Sequence, residues 1–289
     1  MKSPRFATAL LVVLFLVSGL SAKAQNEESL LWKVSGKDLP APSYLFGTMH
    51  LVCKADVPLS PSLRQAIAAS EALVMEMDLS DPQVAQQAMM GGLNPGMKNI
   101  AEELSEADQQ LINDFLREHY TMDLNQVGVF KPFIIMTMVI PSYLDCETTS
   151  MEEEVMALAL PDSLPLIGLE DARFQLSLFD SLPHAEMMEL MVSTFREFEE
   201  DKQDFVQMTE DYAAGRLTAL YEQIIEDPSM RVMRERLLDS RNRNWVPLLE
   251  AAMQERPVMV AVGAGHLAGG QGLIALLRAQ GYTVEAVKD

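Results

Sequence analysis

The sequence predicts an α/β fold: a mixed central sheet built from N- and C-terminal strands, with a large helical insertion, at about residues 81–253, between its halves. Three observations predict it. Short apolar runs rich in large side chains gather at the two ends of the chain. Capped segments with helical spacing fill the middle. The stretch "FGTMHL", Phe46 to Leu51, returns as "VGAGHL", Val262 to Leu267, each time at the end of an apolar run. Strands from the two termini that share one sheet would bring these two Gly-x-x-His turns together, at the strand ends where open α/β sheets place ligands.

In chain order, "LLWKVS" and "SYLFGTMHL" read as neighbouring strands around the turn-forming "GKDLPAP". "SPSLRQAIAAS" opens with a Ser cap and a Pro at the first helical position, so it predicts a helix. "EALVMEMDLS" has a short apolar core and predicts a buried strand ending in acids. "SEADQQLINDFLREHY" starts with a Ser cap and acids in its first turn, a helix signal. "PFIIMTMVIPSYL" is apolar on all sides and predicts a buried segment of this helical region. "SMEEEVMALAL" is a further capped helix, and "LPLIGLED" a short strand closed by Gly168 and Glu170. Three or four helices are expected from Pro183 to about Met253. There Met187, Met191, Phe195, Phe198, Phe205 and Met208 recur at near-helical spacing as a core stripe that stops at Gly215. "RPVMVAVGAGHL" is a strand running into a Gly-rich turn, "GGQGLIALLRAQG" a helix stopping at Gly281, and "YTVEAV" the closing strand.

The first residues follow a different logic. Lys2 and Arg5 precede the uncharged apolar run "ATALLVVLFLVSGL", and Ala22 and Ala24 supply small residues after it. This is a signal-peptide pattern, with cleavage expected after Ala24, a single domain at 25–289, and a periplasmic or secreted destination. The run is short for a span, which needs about 20 apolar residues. No stable membrane span is expected after cleavage; an uncleaved N-terminal anchor is the alternative. The formal net charge is −20. A surface that acidic repels phosphate backbones and argues against nucleic-acid binding, while tolerating divalent cations. The chain has two cysteines, Cys53 and Cys146. In an exported chain they form one disulfide or remain two free thiols, and neither has a CxxC partner.

The chemistry-bearing residues are few. Of the four histidines, His119 and His184 lie near helix ends and read as surface residues, whereas His50 and His266 share the repeated frame. Gly47 and Gly263 are expected to supply backbone freedom where each strand ends. A single Gly-x-x-His is more often a packed histidine after a turn; a pair from adjacent strand ends can share one divalent ion, because neutral imidazole is a common ligand. A third ligand would be a strand-end carboxylate: Glu76 first, then Glu170, with Asp78 on the face of Glu76 ranked below. In "LLDSRNRNW", Arg241 is a candidate for holding an oxyanion or substrate carboxylate, against the plainer reading of salt bridges to abundant acids. No GxSxG elbow, P-loop, HExxH or strand-to-helix GxGxxG is present.

These residues resemble the TraB/GumN family, whose eukaryotic relatives are the Tiki proteins. The resemblance rests on "YLFGTMHL", "EALVMEMDL", "LIGLEDARFQLSLFDSLP", "LLDSRNRNW" and "VAVGAGHLAGGQGLIALLRAQGYTVE", in family order over nearly the whole mature chain. It implies a metal-dependent hydrolase, the Tiki branch being described as proteases. A wider kinship to erythromycin esterase-like and haem-binding ChaN-like proteins goes with it. It marks His50, His266, Glu76, Glu170, and Arg241 with Asn242. Where many members have Gly-hydrophobic-Asp before a helix, this chain has Ser150, Met151 and Glu152, so the role of that acid does not carry over directly.

The expectation is therefore an exported metal-dependent hydrolase, a peptidase acting on a peptide or protein substrate. His50, Glu76 and His266 would hold one divalent ion, with Zn, Mn and Co all suiting the set. Glu170 would serve as general base or second ligand, and Arg241, with Asn242, would stabilise the oxyanion. The rival readings are a non-catalytic haem- or metal-binding envelope protein, and a structural or signalling envelope protein in which the turns merely pack.

Overall fold

The computed structural model describes residues 28–159, 164–227, 230 and 233–289; the expected signal segment, 1–24, lies outside them. The fold is mixed α/β, as expected. Strand β1 (Leu31–Ser35) pairs antiparallel with β2 (Ser43–Thr48), so that Trp32 lies opposite Leu45. Helix α1 (Pro61–Ala68) follows; the Ser60 side chain caps it by accepting from the Leu63 N–H, and Pro61 sits where its missing N–H costs nothing. Strand β4 (Ala72–Met75) comes next, every residue of it buried. From the other end of the chain come β7 (Val258–Gly263) and β8 (Thr283–Ala286). Strand β6 (Leu166–Gly168) comes from the middle. The sheet order is β6-β4-β7-β2-β1-β8. The first four strands are mutually parallel and β1 alone runs against its neighbours. β2 and β7 are in direct register, with Gly47 opposite Val262 and Thr48 opposite Gly263. The two ends of the chain thus meet at the sheet centre, and the repeated turns emerge side by side.

A small second sheet pairs β3 (Val52–Cys53) with β5 (Thr148–Thr149), and a disulfide joins Cys53 to Cys146 across 93 residues. No cysteine is free. Helix α6 (Met151–Ala159) starts directly after β5 and buries Met151 and Val155 against the sheet.

Between the sheet halves the insertion is helical. It contains α2 (Pro82–Gly91), α3 (Glu106–Tyr120), α4 (Leu124–Val127), α5 (Pro132–Thr137), α7 (Ala172–Phe179), α8 (His184–Arg196), α9 (Phe198–Ala213), α10 (Leu217–Glu226) and α11 (Ser240–Glu255). Helix α12 (Leu273–Ala279) returns the chain to β8 and stops before Gly281, which takes φ +93°. A second apolar core, centred on Ile112, Leu116, Ile135 and Met191, holds the insertion together apart from the sheet.

Two expectations need correction. The stripe from Met187 to Met208 is not one helix: the chain breaks at Glu197 (φ −99°, ψ 16°) between α8 and α9. Met187, Met191 and Phe195 are buried, but Phe205 and Met208 are half-buried and face a cavity. Likewise "PFIIMTMVIPSYL" is not buried throughout. Its helix is only Pro132–Thr137, and Phe133, Thr137 and Ile140 turn toward the same cavity. An all-round apolar segment can satisfy its pattern with a core on one side and a pocket on the other. No helix among the described residues is long and apolar enough to cross a membrane.

Candidate functional site

Four adjacent parallel strands deliver four side chains to the carboxyl edge of the sheet. In sheet order these are Glu170 after β6, Glu76 after β4, His266 after β7 and His50 after β2. The two carboxylates are fixed relative to one another by the backbone, since the Glu170 N–H donates to the Glu76 carbonyl at 2.9 Å. Helix α11 crosses this edge and supplies Arg241, Asn242 and Trp245, all buried. It is entered through a π turn, Glu235–Asp239, whose Leu237 carbonyl accepts from Arg241 Nη1 at 2.9 Å.

The glycines of the two turns work by space, not by backbone angle. Neither Gly47 nor Gly263 has positive φ. A Cβ on Gly47 would lie 3.1 Å from both Cα and Cβ of Ala264, so the two turns would have to move slightly apart to admit it. A Cβ on Gly263 would stand 3.3 Å from Glu76 Oε1, the oxygen that accepts the Gly263 N–H at 2.9 Å. This replaces the expected reason, freedom at the strand end, with close approach.

Arg241 organises the site. Its Nε donates to both oxygens of Glu170 (3.1 and 3.0 Å), and Nη2 donates to Glu170 Oε2 (2.7 Å) and Glu76 Oε2 (2.6 Å). The guanidinium lies 4.7 Å from the centre of the Trp245 ring, a cation–π stack, and Trp245 Nε1 donates to Glu170 Oε1 at 2.8 Å. Burial works against the arginine's charge, but its hydrogen bonds to Glu170 and the charge of Glu76 outweigh it and raise its pKa further. For Glu76, burial opposes ionisation. The charges of His266 (when it has one), Arg241 and His50, with the Gly263 N–H, reverse this and lower the carboxyl to about 2.

His266 is neutral at ordinary pH: burial comes first, and its pKa falls to about 3. Asn242 Nδ2 donates to the His266 and Gln271 carbonyls (3.2 and 2.8 Å), which turns Oδ1 toward His266 Nδ1 at 2.7 Å. The network therefore assigns the proton to Nδ1 and leaves the lone pair on Nε2, which accepts from Arg241 Nη1 at 3.2 Å and lies 3.7 Å from Glu76 Oε1.

His50 is built the same way at the cavity wall. Its Nδ1 stands 2.9 Å from Glu152 Oε1, which also accepts from Thr48 Oγ1 at 2.7 Å; Ser150 Oγ donates to the other oxygen at 2.8 Å. The hydrogen bond to Glu152, acting against desolvation, raises the His50 pKa to about 9. Its side chain is 80% exposed and lines the cavity. Nε2 is the ring nitrogen left to that space. Glu152, whose role did not carry over from sequence, is thus the partner of His50. The Ser150-x-Glu152 spacing, on the motif of "SMEEEVMALAL", was the signal.

His50, Glu76, Arg241 and His266 line one cavity of about 570 Å³ whose remaining wall is largely apolar. Glu170 and Asn242 do not line it: the first anchors Arg241 and the second sets the tautomer of His266. Asp78 is outside the cluster and binds the turn at Ser80. His119 stacks on Phe115 and His184 pairs with Glu103 at the surface, as expected of surface histidines.

Does this donor set suit a divalent ion? Its chemistry does. Both imidazoles have Nδ1 tied to an oxygen, the arrangement that presents Nε2 to a metal. Once His50 gives up its proton, as metal binding requires, Glu76, Glu152 and Glu170 against Arg241 leave two negative charges, which a divalent cation balances. In the arrangement seen, Arg241 fills the space between Glu76 and His266. Among the described residues, no three His, Cys, Asp or Glu side chains are gathered closely enough to hold a metal as they stand.

Fold and site together define an α/β protein with two glycine-spaced histidine turns and an arginine-clamped carboxylate pair at one sheet edge. The chain belongs to the TraB/PrgY/gumN family, whose family model matches residues 30–286. It is also similar to Metalloprotease TIKI2 of Danio rerio, at 23% identity over 323 residues, covering 92% of this chain and 62% of that protein. The chain thus spans less than two thirds of the length of that curated relative. No solved structure matches it.

Proposed function

We propose that the protein is an exported, metal-dependent hydrolase, acting as a peptidase in the periplasm or outside the cell. The observation that carries this reading is the convergence of His50, Glu76 and His266, from three neighbouring parallel strands, on one cavity. Similarity to a protein named as a metalloprotease supports it. The Cys53–Cys146 disulfide supports an oxidising compartment.

His50, Glu76 and His266 would hold the ion, which when bound would lower the pKa of water and polarise a carbonyl. The chain's own groups do the rest. Asn242 keeps the His266 proton on Nδ1, so Nε2 stays a lone-pair donor. Glu152 holds His50 Nδ1 and so turns Nε2 toward the cavity. Arg241, held charged by Glu170, stabilises negative charge that develops beside Glu76. Glu170 and Asn242 act in this scheme as positioning residues.

The test is cleavage of a mixed peptide library by the mature chain, with metal content measured by elemental analysis. Cleavage is expected to stop on chelation and return with one of Zn, Mn or Co. A His50→Ala/His266→Ala variant is expected to lose both the ion and the activity. Full cleavage after exhaustive chelation would refute the metal-dependent reading.

A further inference from the structure

The wall of the cavity carries information that its polar end does not. Away from the ion network it is built from side chains such as Phe133, Leu176, Phe179, Phe205, Met208 and Ile224. These come from α5, α7, α9 and α10, so the helical insertion, not the sheet, forms the apolar half of the chamber. Polar side chains do occur in this wall, but their donors are engaged within the protein. Thr48 Oγ1 donates to Glu152, Thr137 Oγ1 to the Ile134 carbonyl, and Tyr212 OH to the Gly47 carbonyl at 2.8 Å. Gln175 Nε2 donates to Glu76 and Glu170.

This distinguishes between two kinds of apolar guest. A peptide brings an N–H and a C=O with every residue, and each one desolvated without a partner weakens binding. No side-chain donor in the described apolar wall is left over for those carbonyls. An aliphatic chain has no such groups and gains about 25 cal/mol for each Å² it removes from water. At about 570 Å³ the cavity falls within the size range of small-molecule sites, and thioethers such as Met208 adapt to a flexible guest. We infer that the cavity takes a single aliphatic acyl chain, with the carbonyl that ends the chain placed at His50, Glu76 and Arg241.

The inference rests on the proposed hydrolase only for the reaction. There, water would add across the bond between the acyl carbon and its nitrogen or oxygen. The hydroxyl would go to the acyl carbon and the proton to the leaving group, releasing a fatty acid with an amine or an alcohol. Binding needs no reaction and is tested first, on the unaltered mature chain. Calorimetric titration with N-butanoyl, N-octanoyl and N-dodecanoyl glycinamide is compared with titration by an unacylated apolar tripeptide amide. Affinity is expected to rise by up to about fourfold per added methylene until the cavity is filled. The tripeptide amide is expected to bind more weakly than the dodecanoyl compound. Affinity independent of chain length, or a tripeptide amide that binds as tightly as the dodecanoyl compound, would overturn the inference. A Leu176→Glu variant, confirmed as folded by circular dichroism, is expected to weaken dodecanoyl binding more than tenfold while leaving butanoyl binding nearly unchanged. The two readings fail separately. Chain-length-dependent binding with no cleavage under any divalent ion supports the acyl site and counts against the hydrolase. Metal-dependent peptide cleavage with no chain-length dependence does the reverse.

Discussion

Replacing Arg241 would leave the Glu76 and Glu170 side chains, 16% and 7% exposed, beside one another without the guanidinium that now bonds to both. Trp245, Gln175 and the Gly263 N–H would still donate to them, but the nearest remaining positive charge would be that of His50, already paired with Glu152. Removing one partner of a buried ion pair costs about 3–5 kcal/mol. Arg241→Met is therefore expected to lower stability by about that amount in urea unfolding. Arg243→Met, at a 44% exposed side chain paired with Glu235, is expected to change it by less than about 1 kcal/mol. Equal effects at the two positions would mean that Arg241 does not carry the network. At this scale the sequence was legible in residue type and less so in reason. His50, His266, Glu76 and Arg241 stood out by spacing and strand position, and they share the cavity. The turn frame makes Gly47 and Gly263 look conformational, whereas what they provide is contact distance between segments far apart in the chain, 187 residues for Gly263 and Glu76. No local pattern encodes that distance. Glu152 was equally hard to place, because its partner His50 lies 102 positions earlier and long-range contacts such as the β3–β5 pairing bring them together.

That pairing sets the element-scale expectations. The disulfide Cys53–Cys146 closes a 93-residue loop and ties β3, just after His50, to the segment that leads into β5 and Glu152. Loop-closure entropy alone assigns about 4–5 kcal/mol to a bridge of this length, and measured values are typically about 2–4. Cys53→Ser/Cys146→Ser is expected to melt well below the unaltered protein, and reduction of the unaltered protein should reproduce the shift. An unchanged melting temperature would remove the disulfide from the account of how His50 is held. A second expectation concerns α9. Asp201, in its first turn, is half-buried against Tyr143, whose OH donates to it at 3.4 Å. Burial first, then the charges of Glu197, Asp227 and Asp204, raise its pKa from 3.8 to about 6 despite that bond. The folded state therefore holds this proton more tightly than the unfolded chain. The resulting stability is fully present below pH 3.8 and lost as pH rises through about 6. Asp201→Asn is expected to raise the melting temperature at neutral pH, with a gain that disappears toward pH 3.8. A gain equal at both pH values would assign it to something other than this carboxylate. Helix and strand signals were mostly readable here: the Ser60 and Ser105 caps begin helices as expected, and Gly281 ends one. The break at Glu197 was not, because a continuous apolar stripe looks the same whether it faces one core or a core and then a cavity.

For the whole molecule, the order β6-β4-β7-β2 turns a linear sequence into a row of side chains: Glu170, Glu76, His266, His50. The meeting of N- and C-terminal strands followed from the repeated turn. The insertion of β7 between β4 and β2 did not, since strand order is decided by long-range packing that no window of sequence contains. The helical insertion completes the site by laying an apolar chamber over this polar row, which joins the two halves of the fold in one function. The central claim is that both histidine turns and Glu76 serve a single ion. Titration of the mature protein with Co(II), followed by visible absorption, tests it most directly. The account predicts saturation at one ion per chain, with loss of the signal in each of His50→Ala, His266→Ala and Glu76→Gln while the variants stay folded. Undiminished uptake in any one of the three, or no saturable uptake by the unaltered protein, would contradict it.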